Sequence, residues 1–317
     1  MPMALWSRRW LGILAVVAGA GCDSAEPRDP DPPAPAATLF DRIIFTRRGG
    51  CADEICAYAL WTMTPDGTDL RRLRDSLQYP EHPSVAPDGR TVVFEDDVSL
   101  FLMDADGQSL RLLETGLVRS LSPVWTPDGA WVLFTGNEAL DKPVQIYRIR
   151  ADGSDRERLT TAEGLGGHSP ALSRDGRYLA YVVYKFNVAP GEERSWLVIR
   201  DLTNGSEHIV TDSSFTGVPA SWSPDASTLL FLDSDPVFST EFALWRLTVA
   251  TGDYAHLGDS RGNRPATYSP DGRTLLFGTG DLWLADSSGQ NQRVLLADGA
   301  LNFEAYWTPA SPASSAR

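Results

Sequence analysis

The amino-acid sequence predicts an all-β protein built from repeated four-stranded sheets. A first observation is a motif that recurs five times: hydrophobic residue, Ser or Thr in most copies, Pro, Asp and Gly, and then an apolar stretch. An aromatic residue follows six positions after each Asp, in the pairs Asp88–Phe94, Asp128–Phe134, Asp175–Tyr181, Asp225–Phe231 and Asp271–Phe277. A second observation is that successive copies lie 40 to 50 residues apart. A motif of constant length, separated by spacers of variable length, is typical of repeat proteins.

A third observation is an aromatic-rich segment that recurs between these motifs and completes each unit. Residues 100–103 are an example, followed by a turn at Gly107 and a short Arg-x-Leu segment at 111–113. Such segments are too short for helices and are rich in β-branched and aromatic residues. In the turns, Pro presets φ, Asp accepts hydrogen bonds, and Gly adopts the positive φ that closes a hairpin. The sequence therefore predicts four short strands in each unit.

The ends of the repeat region determine the number of units. Residues 43–45 match the second strand of a unit without a preceding turn, and residues 306–309 match a first strand without a successor. Together they make one unit, which brings the total to six. The second strands are apolar on both faces, so the sheets must stack face to face. We predict a six-bladed β-propeller, closed by pairing residues 42–46 with residues about 303–308.

The N-terminus has the features of an exported bacterial lipoprotein. Arg8 and Arg9 precede an apolar run, and small residues at 19–21 precede Cys22 in a sequence that resembles the lipoprotein box. Ordinary signal-peptide cleavage, with Cys22 free or paired, is the alternative. The predicted organisation is a lipoprotein signal peptide at 1–21, a Pro/Asp-rich tether at 22–38, the propeller at 39–310 and a disordered tail at 311–317.

The remaining cysteines and the charge restrict the environment and the partners. Cys51 and Cys56 are expected to form a disulfide in an oxidising compartment. The net charge of −14 becomes −16 once Arg8 and Arg9 are removed with the signal peptide. This acidity argues against nucleic acid as a partner and leaves the lipid on Cys22 as the route to a membrane. We expect a monomer in the bacterial cell envelope, facing the periplasm or the cell surface.

The repeat resembles a known family. The pattern at residues 222–231, followed by Leu244-Trp245, is similar to the WD-like propeller repeat of TolB, a periplasmic protein. Related repeats occur in the propellers of prolyl-oligopeptidase-type peptidases and of some polysaccharide lyases. The resemblance covers about residues 39–310 and implies the fold. TolB carries an α/β domain before its propeller, where this sequence has the short tether.

Candidate site residues follow from the expected geometry of a propeller. The loops before the first strands meet the central channel, and five polar residues are predicted there as a ligand-binding mouth, or as hydrated channel lining: Glu81, His82, His168, Arg264 and Glu304. The Asp-Gly turns lack the spacing of a calcium loop. Gly258-Asp259-Ser260-Arg261-Gly262 matches the nucleophile elbow formally, but a strand follows it rather than a helix. We predict no catalytic residues, no metal and no cofactor.

Two functions fit these observations. The first is a membrane-tethered, non-catalytic binding or scaffold propeller for a protein, peptide or glycan of the envelope. The alternative is a polysaccharide lyase or hydrolase that uses the His and carboxylate side chains of the channel mouth. The fold does not choose between them, because propellers host many functions.

Overall fold

The computed structural model describes residues 37–49, 58–160, 164–186, 188–189, 192, 194–211, 217–234, 242–259 and 266–312. These residues form 24 strands in six four-stranded antiparallel sheets, which confirms the predicted all-β, six-bladed propeller. Within this part of the chain no helix is long and apolar enough to cross a membrane. Cys22, Cys51, Cys56 and Arg264 lie outside the described residues, so the lipidation and the disulfide stay predictions.

Each blade runs from an innermost strand at the channel to an outermost strand at the rim. Blade 1 comprises β24 (Leu301–Trp307), β1 (Ile43–Arg48), β2 (Tyr58–Met63) and β3 (Arg71–Leu77). Blade 2 comprises β4 (Pro80–Val85), β5 (Thr91–Asp96), β6 (Ser99–Asp104) and β7 (Arg111–Leu112). Blade 3 comprises β8 (Arg119–Trp125), β9 (Val132–Asn137), β10 (Gln145–Ile149) and β11 (Glu157–Arg158).

The remaining blades repeat this order. Blade 4 comprises β12 (Leu165–Leu172), β13 (Tyr178–Lys185), β14 (Ser195–Asp201) and β15 (Glu207–Ile209). Blade 5 comprises β16 (Val218–Trp222), β17 (Thr228–Ser234), β18 (Phe242–Thr248) and β19 (Tyr254–Asp259). Blade 6 comprises β20 (Thr267–Tyr268), β21 (Thr274–Phe277), β22 (Leu282–Asp286) and β23 (Arg293–Leu296).

Blade 1 closes the ring with strands from both ends of the chain. β24 pairs with β1 in antiparallel register, with Ile43 opposite Trp307 and Ile44 opposite Tyr306. The Thr308 N–H donates a hydrogen bond of 2.9 Å to the Arg42 carbonyl and extends the pairing. This closure confirms the prediction made from the two incomplete repeat units, and it removes two free sheet edges.

Apolar cores lie between neighbouring blades, one at each of the six junctions. Successive residues of a second strand supply opposite cores: Val92 packs toward blade 1 and Val93 toward blade 3. This two-sided burial explains why β5 and β9 are apolar at consecutive positions rather than at alternating ones. The fold therefore depends on stacked sheets rather than on a single central core.

The turns that follow the innermost strands have the geometry expected of their residues. In blade 3, Asp128 Oδ1 accepts hydrogen bonds from the Thr126 hydroxyl at 2.5 Å and from the Ala130 N–H at 2.9 Å. Gly129 has a φ of 67°. The bond from Thr126 is the main reason that the pKa of Asp128 lies below its ordinary value. The same Asp therefore caps its own turn and gains a stabilised negative charge.

The turns of blades 4 and 5 lack a Pro-on-Gly contact that the turns of blades 5 and 6 make. A Cβ at Gly272 of blade 6 would lie 2.9 Å from Pro224 Cδ of blade 5, so the Pro of one turn packs on the Gly of the next. Blade 4 has Arg174 in place of this Pro, and blade 5 has Ala226, with a φ of 56°, in place of the Gly. Arg174 provides no Pro ring at this junction, and Ala226 is buried in the core between blades 4 and 5.

Candidate binding site at one mouth of the central channel

The innermost strands enclose a central cavity of about 660 Å³. Residues from all six blades line it. Its lining includes apolar and aromatic residues at the ends of the innermost strands: Val85, Val124, Trp125, Leu172, Trp222 and Trp307. Volumes of this order are typical of pockets for small ligands. The cavity has a polar mouth at the start of the innermost strands and a second mouth at the Pro-Asp-Gly turns.

The polar mouth, here called the histidine mouth, is built from β-bulges. Four residues at equivalent positions of blades 1 to 4 have left-handed backbones with φ of 50° to 54°: Glu304, His82, Ser122 and Ser169. The register of the innermost strand slips at each of these positions. A left-handed non-glycine residue costs on the order of 1 kcal/mol or more, and bulges redirect side chains. All four residues line the cavity.

His82 lies between two buried carboxylates at this mouth. Its Nδ1 is 3.3 Å from Glu95 Oε2, and its Nε2 is 3.7 Å from Glu304 Oε2. Glu95 is 5% exposed and Glu304 is 2% exposed, whereas 30% of the His82 side chain is exposed. Because β4, β5 and β24 supply the three residues, the ion pairs connect blade 2 to the closing strand of blade 1.

Both carboxylates accept a further hydrogen bond. The Ser122 N–H of blade 3 donates to Glu95 Oε2, and the Tyr306 hydroxyl donates to Glu304 Oε2. Burying a carboxylate is costly unless charges and donors compensate it, and here an imidazole and a donor surround each one. The mouth is therefore held by a network that spans three blades.

The surroundings of His82 determine its protonation. Burial alone would lower its pKa, but the charges of Glu304, Glu95 and Glu81 and the hydrogen bond to Glu95 outweigh it and raise the pKa to about 9. His82 is accordingly an imidazolium at neutral pH. Within the cluster formed by Glu81, His82, Glu95 and Glu304, all three acidic residues raise the pKa of the one imidazole.

Glu81, His82 and Glu95 also have the composition of a metal site. Their ligand atoms lie within 4.8 Å of one another, a spacing that a metal ion could bridge. A metal would require His82 to lose its proton. Both ring nitrogens face carboxylates, so we interpret the cluster as an ion-pair network.

His168 has different surroundings from His82. It is one residue before the bulge of blade 4, at the position that Glu81 occupies in blade 2. Its Nδ1 is 2.9 Å from the Ser169 hydroxyl, and its ring lies 5.6 Å from the Tyr184 ring. Burial lowers the pKa of His168 to about 4, so the ring is neutral at physiological pH. His168 is not among the residues that line the cavity.

Three of the five residues expected at the channel mouth, Glu81, His82 and Glu304, lie together in the structure. The structure adds Glu95, which the sequence motifs do not single out. Glu95 directly follows the aromatic residue that ends the apolar stretch of β5. Thr135 occupies this position in blade 3, and its Oγ1 accepts the bulge N–H of Ser169 at 3.0 Å. Glu95 is a carboxylate at the position where blade 3 has the hydroxyl of Thr135, and this difference in the sequence could have identified it.

A family model and solved structures are similar to this architecture. A family model described as TolB beta propeller domain matches residues 82–240. TolB from Acinetobacter baumannii superposes with a TM-score of 0.67 at 19% identity, over 85% of this chain and 67% of that one. A putative TolB from Agrobacterium tumefaciens gives a TM-score of 0.59 at 16% identity, over 86% and 99%.

A chain of a nidogen/laminin complex gives a TM-score of 0.61 at 13% identity, over 83% of this chain and 97% of that one. At such identities the superpositions establish the fold alone. Comparison with curated proteins gives no match. Since the family model spans half of the sequence and the ring has six blades, this chain belongs to the TolB β-propeller domain family.

Proposed function

We propose that this protein is a lipid-anchored lipoprotein of the bacterial envelope whose propeller binds a protein, peptide or glycan partner without catalysing a reaction. The partner contacts the histidine mouth. The observation that carries this proposal is the cluster of Glu81, His82, Glu95 and Glu304 at the entrance of a 660 Å³ cavity. Strained backbone and buried charge are costly, and they concentrate at functional sites.

Two further features support a binding role. The ring of His82 is protonated and faces two carboxylates, an arrangement that positions charge but leaves no ring nitrogen free to accept a proton. Tyr79, which is 42% exposed, directly precedes β4 and packs edge-on against the Tyr58 ring at 5.0 Å. Exposed aromatic residues beside a desolvated ion-pair network are typical of contact surfaces.

Crosslinking in intact cells tests the contact surface. A photoreactive phenylalanine in place of Tyr79 should yield a discrete adduct, whereas the same residue in place of Tyr254, which is 54% exposed on the outermost strand of blade 5, should not. Adding Glu81→Gln to the Tyr79 variant should reduce the adduct. Equal adducts at both tyrosines, or none at Tyr79, would contradict the proposal.

The anchor has its own test. Small residues precede Cys22, so Cys22→Ser should move the protein from the membrane fraction to the soluble fraction or leave it uncleaved. Wild-type protein that partitions into the aqueous phase on detergent extraction would refute lipidation. Thiol labelling of mature protein, before and after reduction, likewise tests the proposed Cys51–Cys56 pairing.

A second candidate is the enzyme predicted as the alternative above, a polysaccharide lyase or hydrolase. The observation that favours it is the convergence of Glu81, His82 and Glu95 within 4.8 Å. Incubation of wild-type protein with envelope polysaccharides should then release unsaturated or reducing ends, and Glu81→Gln should abolish the release. Unchanged polysaccharide would leave the binding function as the better account.

A further inference from the structure

The second mouth of the channel, here called the turn mouth, is formed by the turns that follow the innermost strands. Four prolines at equivalent positions of these turns line the cavity: Pro87, Pro127, Pro224 and Pro309. Blade 4 has Arg174 at this position, and Arg174 lines the cavity as well. Proline has no N–H, whereas a guanidinium carries five N–H donors and a permanent positive charge. Arg174 therefore gives the turn mouth a cation that no other blade has at this position.

The charge of Arg174 is not compensated within the described part of the chain. The other charged residues that line the cavity there are His82 and Glu304, whose Nε2 and Oε2 atoms lie 3.7 Å apart at the histidine mouth. Arg174 makes no ion pair with a described residue, and its Nη1 donates a hydrogen bond of 2.7 Å to the Pro270 carbonyl. The adjacent Asp175 caps its own turn through Oδ1. The remaining N–H donors of the guanidinium are therefore available to a ligand.

The hydrogen bond of Arg174 is unlike those by which other arginines join neighbouring blades. Arg246, on the third strand of blade 5, donates to the Ser287 carbonyl of the next blade and does not line the cavity. Arg174 donates instead to blade 6, two blades further, so its side chain lies across the turn mouth. Partial burial lowers the pKa of Arg174, and no carboxylate opposes this shift. A partly desolvated cation without a counter-ion is stabilised by a bound anion.

We propose that the turn mouth binds a small monocarboxylic acid, whose carboxylate is held by the guanidinium of Arg174. The planar fork of a guanidinium matches the two oxygens of a carboxylate. A monoanion compensates the one positive charge of Arg174, whereas a phosphate dianion would add negative charge to a chain whose net charge is already −14. The remainder of the acid extends into the channel of 660 Å³. This site lies at the mouth opposite the histidine mouth and does not depend on the proposed function.

NMR titration of the arginine side-chain N–H signals at neutral pH tests the proposal with butyrate, butyramide and inorganic phosphate. Butyrate should shift the Arg174 Nε–H signal with a dissociation constant on the order of 10 mM. Butyramide has the same size but no charge, and it should bind about tenfold more weakly, as should phosphate. Arg174→Gln identifies the signal by its loss and should weaken butyrate about tenfold. Arg273→Gln, in the turn of blade 6 beside Asp271, is the matched control and should leave butyrate binding unchanged.

Several results would overturn the proposal. They are an Arg174 signal that butyrate does not shift, equal affinity for butyrate and butyramide, or a butyrate affinity that Arg174→Gln leaves intact. If Arg174→Gln does not fold, the comparison of butyrate with butyramide on the wild-type protein decides, because it needs no variant. Tighter binding of phosphate than of butyrate would refute the carboxylate as the ligand group. A shift caused by a blocked tripeptide with a central glutamate, without one caused by butyrate, would refute a small acid as the ligand.

Discussion

Blades 2 and 4 each carry a histidine at the bulge of the innermost strand, and the two side chains have opposite surroundings. His82 is the bulge residue itself and lies between Glu95 and Glu304, with a pKa of about 9. His168 is one residue earlier, beside Ser169 and Tyr184, with a pKa of about 4. Position relative to the bulge does not explain the difference, since Glu81 shares the position of His168 and still lies in the cluster with His82.

The physical reason is the set of groups that face each ring. Two carboxylates from neighbouring strands face His82, whereas a hydroxyl and an aromatic ring face His168. Position along the repeat is therefore a poor guide to the electrostatics of the side chain.

Loss of the His82 cation is expected to have the largest effect. His82→Asn retains a residue type that tolerates a left-handed backbone, but it removes the imidazolium that lies between the buried carboxylates of Glu95 and Glu304. We expect the free energy of unfolding to fall by about 3 kcal/mol in urea denaturation. Adding Glu304→Gln should recover part of this loss. A loss below about 1 kcal/mol would mean that the network contributes little to folding.

Alkaline pH should weaken the same network in the wild-type protein. The pKa of His82 is about 9 in the folded protein, above its ordinary value of 6.5, so folding favours the bound proton. The stabilisation is complete below pH 6.5 and is lost as the pH rises through 9; it amounts to about 3 kcal/mol. The stability difference between wild type and His82→Asn should therefore shrink from pH 6 to pH 10. A constant difference would contradict the assignment of the proton to His82.

Acidic pH should act on His168 with the opposite sign. The pKa of His168 is about 4 in the folded protein, below 6.5, so the unfolded chain binds the proton more tightly. The stabilisation is complete above pH 6.5 and is lost as the pH falls toward 4. His168→Gln should abolish about 2 kcal/mol of the wild-type loss between pH 7 and pH 5. An acid slope that His168→Gln leaves as steep as in the wild type would contradict this assignment.

The fold could be predicted from the sequence because its determinants are local and repeated. The incomplete units at residues 43–45 and 306–309 specify the closure, since each lacks the strand that the other supplies. The apolar stretches by themselves indicate that both faces of the second strands are buried, whichever blade lies beside them. Alignment of the turns thus predicts six sheets and their order.

The candidate site could be predicted only in part, because its chemistry depends on contacts between blades. Glu304 and His82 are 222 residues apart in sequence, and only ring closure brings them together. From the sequence alone, His82 and His168 are equivalent, because both lie near the start of an innermost strand. When the repeats are aligned on the Asp of the turn, His82 aligns with Ser122 and His168 aligns with Glu81. The two histidines therefore occupy neighbouring positions of the repeat, and only His82 is the bulge residue.

Glu95→Thr is expected to have the smallest effect, and it separates the two roles of Glu95. Thr135 anchors the bulge N–H of Ser169 through its hydroxyl at 3.0 Å, so a Thr at position 95 can accept the Ser122 N–H in the same way. The free energy of unfolding should then fall by only about 1 kcal/mol. The pKa of His82 should fall, because Glu95 supplies both a hydrogen bond and a charge to the ring. NMR titration of the His82 ring protons measures that pKa, and Thr135→Val, which removes an anchor without touching a charge, should leave it unchanged. A loss as large as that of His82→Asn would show instead that Glu95 is required for the bulge itself.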